Sequence, residues 1–442
     1  MSDHFPDLPE VRFEGPDSDN PFCFRFYEPD RLVEGVPMRD HLRFASCFWH
    51  TMRNGLGDPF GDPVATMPWE GGRGDSLDLA RVRLDAFFEL LRKLSIGFWC
   101  FHDRDIAPEG DSVAASERNL DAVVSHAEEL QRSTGIRPLW GTANLFSHPR
   151  YVHGAATADS PEVFARAAAQ VATAMEATKR LGGGGYVFWG GREGYSTLLN
   201  TDLGLERRHL GRFLELAAGH ADAIGFEGSL FIEPKPKEPT IHQYDSDAAA
   251  CLDFLREFGL LERFDLNIEV NHATLAGHSA EHELRTAALA ESLGSIDANM
   301  GDDHAGWDTD RFPTDPALAA RVMLEVLDAG GFRAGGLNFD AKRRRGSFEP
   351  IDLAHAHIAG MDAFARGLLA ASAIRADGRL AEMRRDRYAA WDEPLGRRID
   401  AGEATLEDLR DHARDADEPR LASRSEERRV GKECRSRWSP YH

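Results

Sequence analysis

The 442-residue sequence predicts an α/β fold, a (β/α)₈ TIM barrel carrying an extended α-helical C-terminal arm. Three observations predict it. Eight short β-type runs alternate with amphipathic helical runs. Their starts lie roughly 30 to 55 residues apart, which is room for a strand, a crossover helix and two loops. Acidic side chains also close four consecutive runs, the rim where a barrel keeps its chemistry. A doubly wound open sheet uses the same βα units and is the competing arrangement.

The β-type runs are RFASCFWH (43–50), GFWCFHD (97–103), RPLWGTANLF (137–146) and GYVFWGG (185–191), followed by GSLFIEPK (228–235), FDLNIEVNH (264–272), GSIDANMGD (294–302) and GGLNFDAK (335–342). Between them, apolar residues recur at helical spacing. Leu84, Phe87, Phe88 and Leu91 share one face; so do Phe164, Ala168, Val171 and Met175, and Leu210, Phe213, Leu214 and Ala217. Ser160 before Pro161 and Asp315 before Pro316 place a capping side chain ahead of a first-turn proline. Gly182 and Gly330-Gly331 supply stop signals. The run Gly182 to Gly185 lacks a Walker lysine and precedes a strand, so it reads as a turn rather than a phosphate loop.

These boundaries divide the chain into an N-terminal extension (1–40), the barrel (41–378), a helical arm (379–420) and a tail (421–442). The arm is highly charged with few large apolar residues, so it is expected to lie along another surface, in the same subunit or a neighbour. The tail is basic and without apolar periodicity, and reads as disordered or non-native.

Composition narrows the function. The formal charge is −22, with 52 basic against 74 acidic residues. That argues against nucleic-acid binding, which needs clustered Lys and Arg. No eighteen-residue apolar stretch exists and the N-terminus has no basic-then-apolar signal, so no membrane span or secretory leader is expected. The five cysteines are scattered, with no CxxC pair, and a reduced cytoplasmic setting is expected.

The fifth to eighth runs place Glu233, Glu269, Asp297 and Asp340 on one rim, with Lys235, His272 and Lys342 close by in sequence. The loop after the seventh adds Asp308 and Asp310, spaced to face one ion from a tight turn. Asp and Glu are rarely buried unless paired or metal-bound. A like-charge pair at 4 Å repels by about 4 kcal/mol at an effective dielectric near 20. One lysine cannot offset six such groups, so either several protonate or cations enter. An oxygen-rich set with a single imidazole suits Mg²⁺ or Mn²⁺, with Co²⁺ an alternative. His102 closes the second run beside Asp103 and Asp105; a carboxylate on Nδ1 leaves Nε2 as a base. Trp140 and Trp189, in the third and fourth runs, are either core or an apolar wall for a sugar face.

FCFHDRD, VFWGGREGYSTLLNTD, FIEPKPKEPTIHQYD, NIEVNHATLAGH, GWDTD and GGLNFDAK closely resemble the D-xylose (glucose) isomerases. SCFWHT and PFG resemble the group with the longer N-terminal region, and the likeness runs from about Arg43 to about Asp411. The resemblance implies conversion of D-xylose to D-xylulose, and of D-glucose to D-fructose, by ring opening and a metal-assisted hydride shift from C2 to C1. It implies two divalent ions per subunit and no organic cofactor. Glu233, Glu269, Asp297 and Asp340 would form one metal site; Glu269 as a bridge, His272, Asp308 and Asp310 would form the other. His102, oriented by Asp105, would assist ring opening, and Lys235 would stabilise charge on the substrate oxygens. Trp140, Thr142 and Trp189 would bind substrate, with Phe60 reaching a neighbouring subunit's pocket in a homotetramer.

The sequence departs from the family pattern at Met300, Ile241 and Ser196, where the family commonly has Arg, Lys and Glu. None is an expected metal ligand. Two other readings compete. A barrel endonuclease would need a His-rich zinc set and a basic rim. A non-catalytic sugar-binding barrel would tolerate loss of His102 or Lys235, and both are present.

Overall fold

The computed structural model describes residues 4–57, 61, 63, 65–71, 75–343 and 346–419. It separates into two units, Met1–Ala376 and Asp377–His442. The first is a closed barrel of eight parallel strands: β1 (Ala45–Cys47), β2 (Phe98–His102), β3 (Arg137–Thr142), β4 (Gly185–Trp189), β5 (Ser229–Glu233), β6 (Phe264–Glu269), β7 (Leu293–Asp297) and β8 (Leu337–Phe339). Each strand pairs with its neighbour in sequence, and β8 closes on β1 through Asn338–Ala45. The open-sheet alternative is therefore excluded.

A helix follows each strand: α1 (Leu77–Lys93), α2 (Val113–Thr134), α3 (Pro161–Arg180), α4 (Leu203–Ile224), α5 (Ala248–Glu257), α6 (Ala280–Leu289), α7 (Pro316–Asp328) and α8 (Asp352–Asp377). The expected faces are the buried ones, with Leu84, Phe87 and Leu91 of α1 and Met175 of α3 fully enclosed. Asp315 caps α7 by accepting the Ala317 N–H. Ser160 does not cap α3; its hydroxyl donates to Glu162 instead, so Pro161 alone marks that start.

The barrel interior is filled rather than open. Ala45, Cys100, Leu139, Trp140, Val187 and Phe231 form its apolar plug. Phe231 sits at the centre because two neighbours lack a side chain: a Cβ on Gly185 or Gly294 would meet its ring at 2.2 or 2.3 Å. The strands are shorter than the β-type runs. β1 stops at Cys47 and the chain turns into a wide helical turn, Trp49–Arg53. β6 stops at Glu269 and leads into a short helix, Val270–Leu275. Both turns aim polar side chains over the barrel mouth.

The N-terminal segment is anchored to the barrel. Phe5, Leu8, Val11, Phe24 and Tyr27 join the main core, and Asp362 of α8 accepts the backbone N–H groups of Arg25, Phe26 and Tyr27 at 2.8–2.9 Å. The second unit contains α9 (Arg379–Tyr388), α10 (Pro394–Asp400) and α11 (Leu406–Asp415), which opens on a capping box between Thr405 and Asp408. Tyr388, Trp391 and Leu406 stand exposed on this chain. Among the described residues no helix is long and apolar enough to cross a membrane. Cys23, Cys47, Cys100 and Cys251 are buried and free.

Candidate metal and sugar site

Alternation along the strands builds the site. In β6 Asn267 and Glu269 are buried two residues apart; in β7 Ser295 and Asp297 are their register partners; in β8 Asn338 pairs with Asp297, and Asp340 follows just past the strand. Two polar layers result. The asparagines form the lower one: Asn267 Nδ2 donates to Glu233 Oε2 at 3.0 Å and Asp297 Oδ2 at 2.6 Å, and Asn338 Nδ2 donates to Asp297 Oδ1 at 2.7 Å. Asn299, just past β7, donates to Glu269 Oε1 at 2.7 Å and to the Asp340 carbonyl at 2.9 Å. The carboxylates of Glu233, Glu269 and Asp297 are thus aimed before any ion is considered.

The upper layer is a cluster of ligating atoms. Glu233, Glu269, Asp297 and Asp340 each offer an oxygen, and all four lie within 4.8 Å of one another. The same spacing joins Glu269, Asp308 and Asp310, and again Glu233, Glu269 and His272. Glu269 is common to all three sets. His272 Nε2 lies 3.1 Å from Glu269 Oε2 and 3.2 Å from Asp308 Oδ2. One ring nitrogen cannot hydrogen-bond well to both, whereas a cation among these atoms would use its lone pair and theirs. The donor set fits a divalent ion.

Electrostatics lead to the same conclusion. Burial raises the Glu233, Glu269 and Asp340 carboxyls well above the usual range; the neighbouring acids Asp297, Asp308 and Asp310 add to it. Burial also raises Asp297, to about 6, despite hydrogen bonds from Asn338 and Asn267. Asp310 is the exception. Burial would raise it, but Lys342, 2.8 Å away, and His50 hold it well below the usual range. Lys235 stays cationic against burial because Asp308, at 2.6 Å, and Glu269 outweigh the desolvation. Burial, then Lys235, lowers His272, keeping its imidazole neutral and its lone pair available.

These groups line a cavity of about 210 Å³. One wall is apolar: Trp49, Trp140, Phe146 and Trp189, with Trp49 and Trp140 rings 5.7 Å apart and Phe146 edge-on to Trp189 at 4.5 Å. His102 stands at this wall, its ring 4.3 Å from Trp49, and its Nδ1 is 2.7 Å from Asp105 Oδ2. Thr142 lines the cavity while donating its hydroxyl to the Val187 carbonyl at 2.6 Å. Lys235 Nζ lies 5.3 Å from the Trp189 ring centroid. Asp297 is fully buried and does not line the cavity. Phe60 lies outside the described residues. Met300, Ile241 and Ser196 do not line the cavity; Met300 pairs its backbone with Arg311, and Ile241 is exposed.

Several members of the site were not singled out from sequence. Trp49 Nε1 donates to Asp340 Oδ1 at 2.9 Å. His50 Nε2 sits 3.2 Å from Asp310 and 3.3 Å from Asp340, bridging the two sets from the other side. Phe146 and the asparagines complete the shell. The asparagines carried a readable signal, since a polar residue stands two positions before each acid in NIE, SID and NFD. Trp49 and His50 carried none, because their run reads as strand.

Comparison with known proteins places this geometry in context. The chain is 56% identical over 405 residues to the "Xylose isomerase" of Rhodopirellula baltica, covering 92% of each. It is 55% identical to that of Caldicellulosiruptor bescii, covering 93% of each, and 53% identical to that of Arabidopsis thaliana, covering 97% of this chain and 89% of the relative. The family described as XylA2 C-terminal domain matches residues 384–428. Among solved structures, a D-psicose 3-epimerase from Clostridium cellulolyticum has a similar fold, with TM-score 0.52 at 11% identity over 74% of this chain and 99% of that one.

Proposed function

The chain belongs to the xylose isomerase family and is an isomerase that converts xylose to xylulose, and we propose that it does so with two divalent ions sharing Glu269. The observation that carries this reading is the overlap of two cation-sized ligand sets on one buried carboxylate, inside a cavity that also holds His102 and Lys235. Glu233, Glu269, Asp297 and Asp340 would hold one ion; Glu269, His272, Asp308 and Asp310 the other. When bound, such ions polarise adjacent sugar oxygens and offset the buried negative charge. The oxygen-rich sets favour Mg²⁺, with Mn²⁺ or Co²⁺ as alternatives.

The side chains divide the remaining work. Asp105 holds Nδ1 of His102, fixing the tautomer and leaving Nε2 to exchange a proton with the ring oxygen or anomeric hydroxyl during ring opening. Trp140 and Trp189 pack an apolar wall against one sugar face and exclude water from the C1–C2 region. Thr142 keeps a lone pair toward the cavity because its proton is committed to Val187. Lys235 places a fixed positive charge beside the substrate oxygens, where charge develops as the hydride moves from C2 to C1. Lys342 and His50 keep Asp310 aimed inward.

We propose D-glucose, giving D-fructose, as a second substrate of the same site. We assign the active form to a homotetramer, supported by the exposed Tyr388, Trp391 and Leu406 of a helical unit whose described residues bury no large apolar side chain. Phe60 would complete a neighbour's pocket. The free, buried cysteines are consistent with a cytoplasmic location. The deciding test is D-xylose isomerisation by metal-stripped protein before and after adding Mg²⁺ or Mn²⁺. Ketose should appear only with metal. Metal-independent turnover, or none from folded protein carrying two ions, would overturn the dinuclear reading.

A further inference from the structure

Among the described residues, one further group of ligating side chains lies close enough to hold an ion, and it is away from the central cavity. His278, His282 and Glu283 each offer an atom within 4.8 Å of the others. They occur as HSAEHE, where the chain leaves the loop after β6 and enters α6. His278 Nδ1 is 2.5 Å from Glu283 Oε1, and the two imidazole centroids are 4.8 Å apart. We propose that these three residues form an outer binding site for a borderline transition-metal ion, Zn²⁺ in the first instance.

The chemistry differs from that of the central site. Two imidazoles and one carboxylate suit zinc, whereas Mg²⁺ prefers oxygen ligands. Glu283 is buried, with its second oxygen accepting the Ala248 N–H at 2.7 Å, so it is a fixed ligand. His278 is partly exposed and His282 exposed, so the imidazoles have room to close on an ion and water can complete a fourth position. Zinc–ligand distances near 2.0–2.2 Å imply ligand separations near 3.4 Å, so His278 must open its 2.5 Å contact with Glu283 by about 0.9 Å while separations of up to 4.8 Å close by about 1.4 Å. Both imidazoles reach the surface and can rotate to meet these changes. The amino terminus of α6 opposes a cation, but Glu281 and Glu283 lie in the same first turn and counter it.

Occupancy would have a structural consequence. Glu283 already ties the start of α5 to the loop before α6, and it lines a small cavity shared with Glu269 and His272. An ion held by His278, His282 and Glu283 would staple that loop from outside.

The test uses the full chain saturated with Mg²⁺, dialysed against micromolar Zn²⁺, with zinc per chain counted by mass spectrometry. The wild type should hold one more zinc per chain than His282→Ala, however many zinc ions enter the central sites. Zinc should also raise the melting temperature of the wild type more than that of the variant. His278→Ala serves as a second variant; without zinc, His282→Ala should melt like the wild type, while His278→Ala also loses the tie to Glu283 and should melt lower, so for it only the zinc-induced shift is compared. Equal zinc content in the wild type and both variants would overturn the site and leave His278–Glu283 as a hydrogen-bonded loop tie. That outcome would not touch the proposed isomerase mechanism, whose test is metal-dependent turnover.

Discussion

Replacing Glu269 by Gln probes the shared ligand most directly. The amide keeps the shape of the carboxyl and can still accept from Asn299, which donates to Glu269 Oε1 at 2.7 Å. It loses one negative charge and a ligand common to both sets. Charged carboxylates 4.8 Å apart repel by about 3.5 kcal/mol at an effective dielectric near 20. The metal-free site relieves this by holding protons, as the raised Glu233, Glu269 and Asp340 carboxyls indicate. Gln resembles protonated Glu, so metal-free Glu269→Gln should melt within about 2 °C of the metal-free parent. Metal separates them. An ion at a hundred times its Kd stabilises the fold by about 2.7 kcal/mol. Unfolding entropy near 2.1 cal/mol/K per residue, over the first unit Met1–Ala376, turns that into about 3 °C per ion, or about 7 °C for two. The variant should lose most of this shift, and turnover should fall at least about a thousandfold. Calorimetry with and without Mg²⁺, alongside xylulose formation, reads both quantities. A variant that keeps the full Mg²⁺ shift and activity would refute the shared-ligand geometry. A metal-free variant melting some 10 °C lower would instead make Glu269 a packing residue.

Other outcomes follow from the same contacts. His102→Asn should slow cyclic D-xylose more than a pre-opened substrate; equal losses would rule out ring opening as its task. Ca²⁺ should inhibit, because its ligand distances of about 2.3–2.6 Å loosen a site shaped for about 2.0–2.1 Å, and full activity with Ca²⁺ would contradict that. Asp297 is raised to about 6, so in the metal-free protein it costs nothing below the unfolded carboxylate range near 4 and its full penalty above about 6. Metal-free stability should therefore decline on this account from pH 4 to 6, while Mg²⁺ affinity rises with pH as protons are displaced. Equal Mg²⁺ affinity at pH 5 and 7.5, measured by titration calorimetry, would be inconsistent with that coupling. Asp362→Ala strands three backbone N–H groups at Arg25, Phe26 and Tyr27 and should cost about 3 kcal/mol in urea unfolding. A loss below about 0.5 kcal/mol would mean the N-terminal segment is held by its apolar residues alone.

The alternation of β-type and helical runs, and the acids closing the last four, were legible because local periodicity and turn chemistry fix them. Glu233, Glu269, Asp297 and Asp340 announced a shared rim in one dimension, and the long motifs around them announced a family. The closure of β8 on β1 was not local information, since it depends on the register of residues nearly three hundred positions apart, such as Asn338 with Ala45. Nor was the wide turn after Cys47, which ends a run that reads as strand and swings Trp49 and His50 over Asp340 and Asp310. The direction of each proton affinity was decided in three dimensions too. Asp310 and Asp340 have the same side chain and similar burial, yet Lys342 and His50 pull one down while Asp297 and Asp310 push the other up. Periodicity records which side a residue faces; the charges it will face there exist only once the barrel has closed.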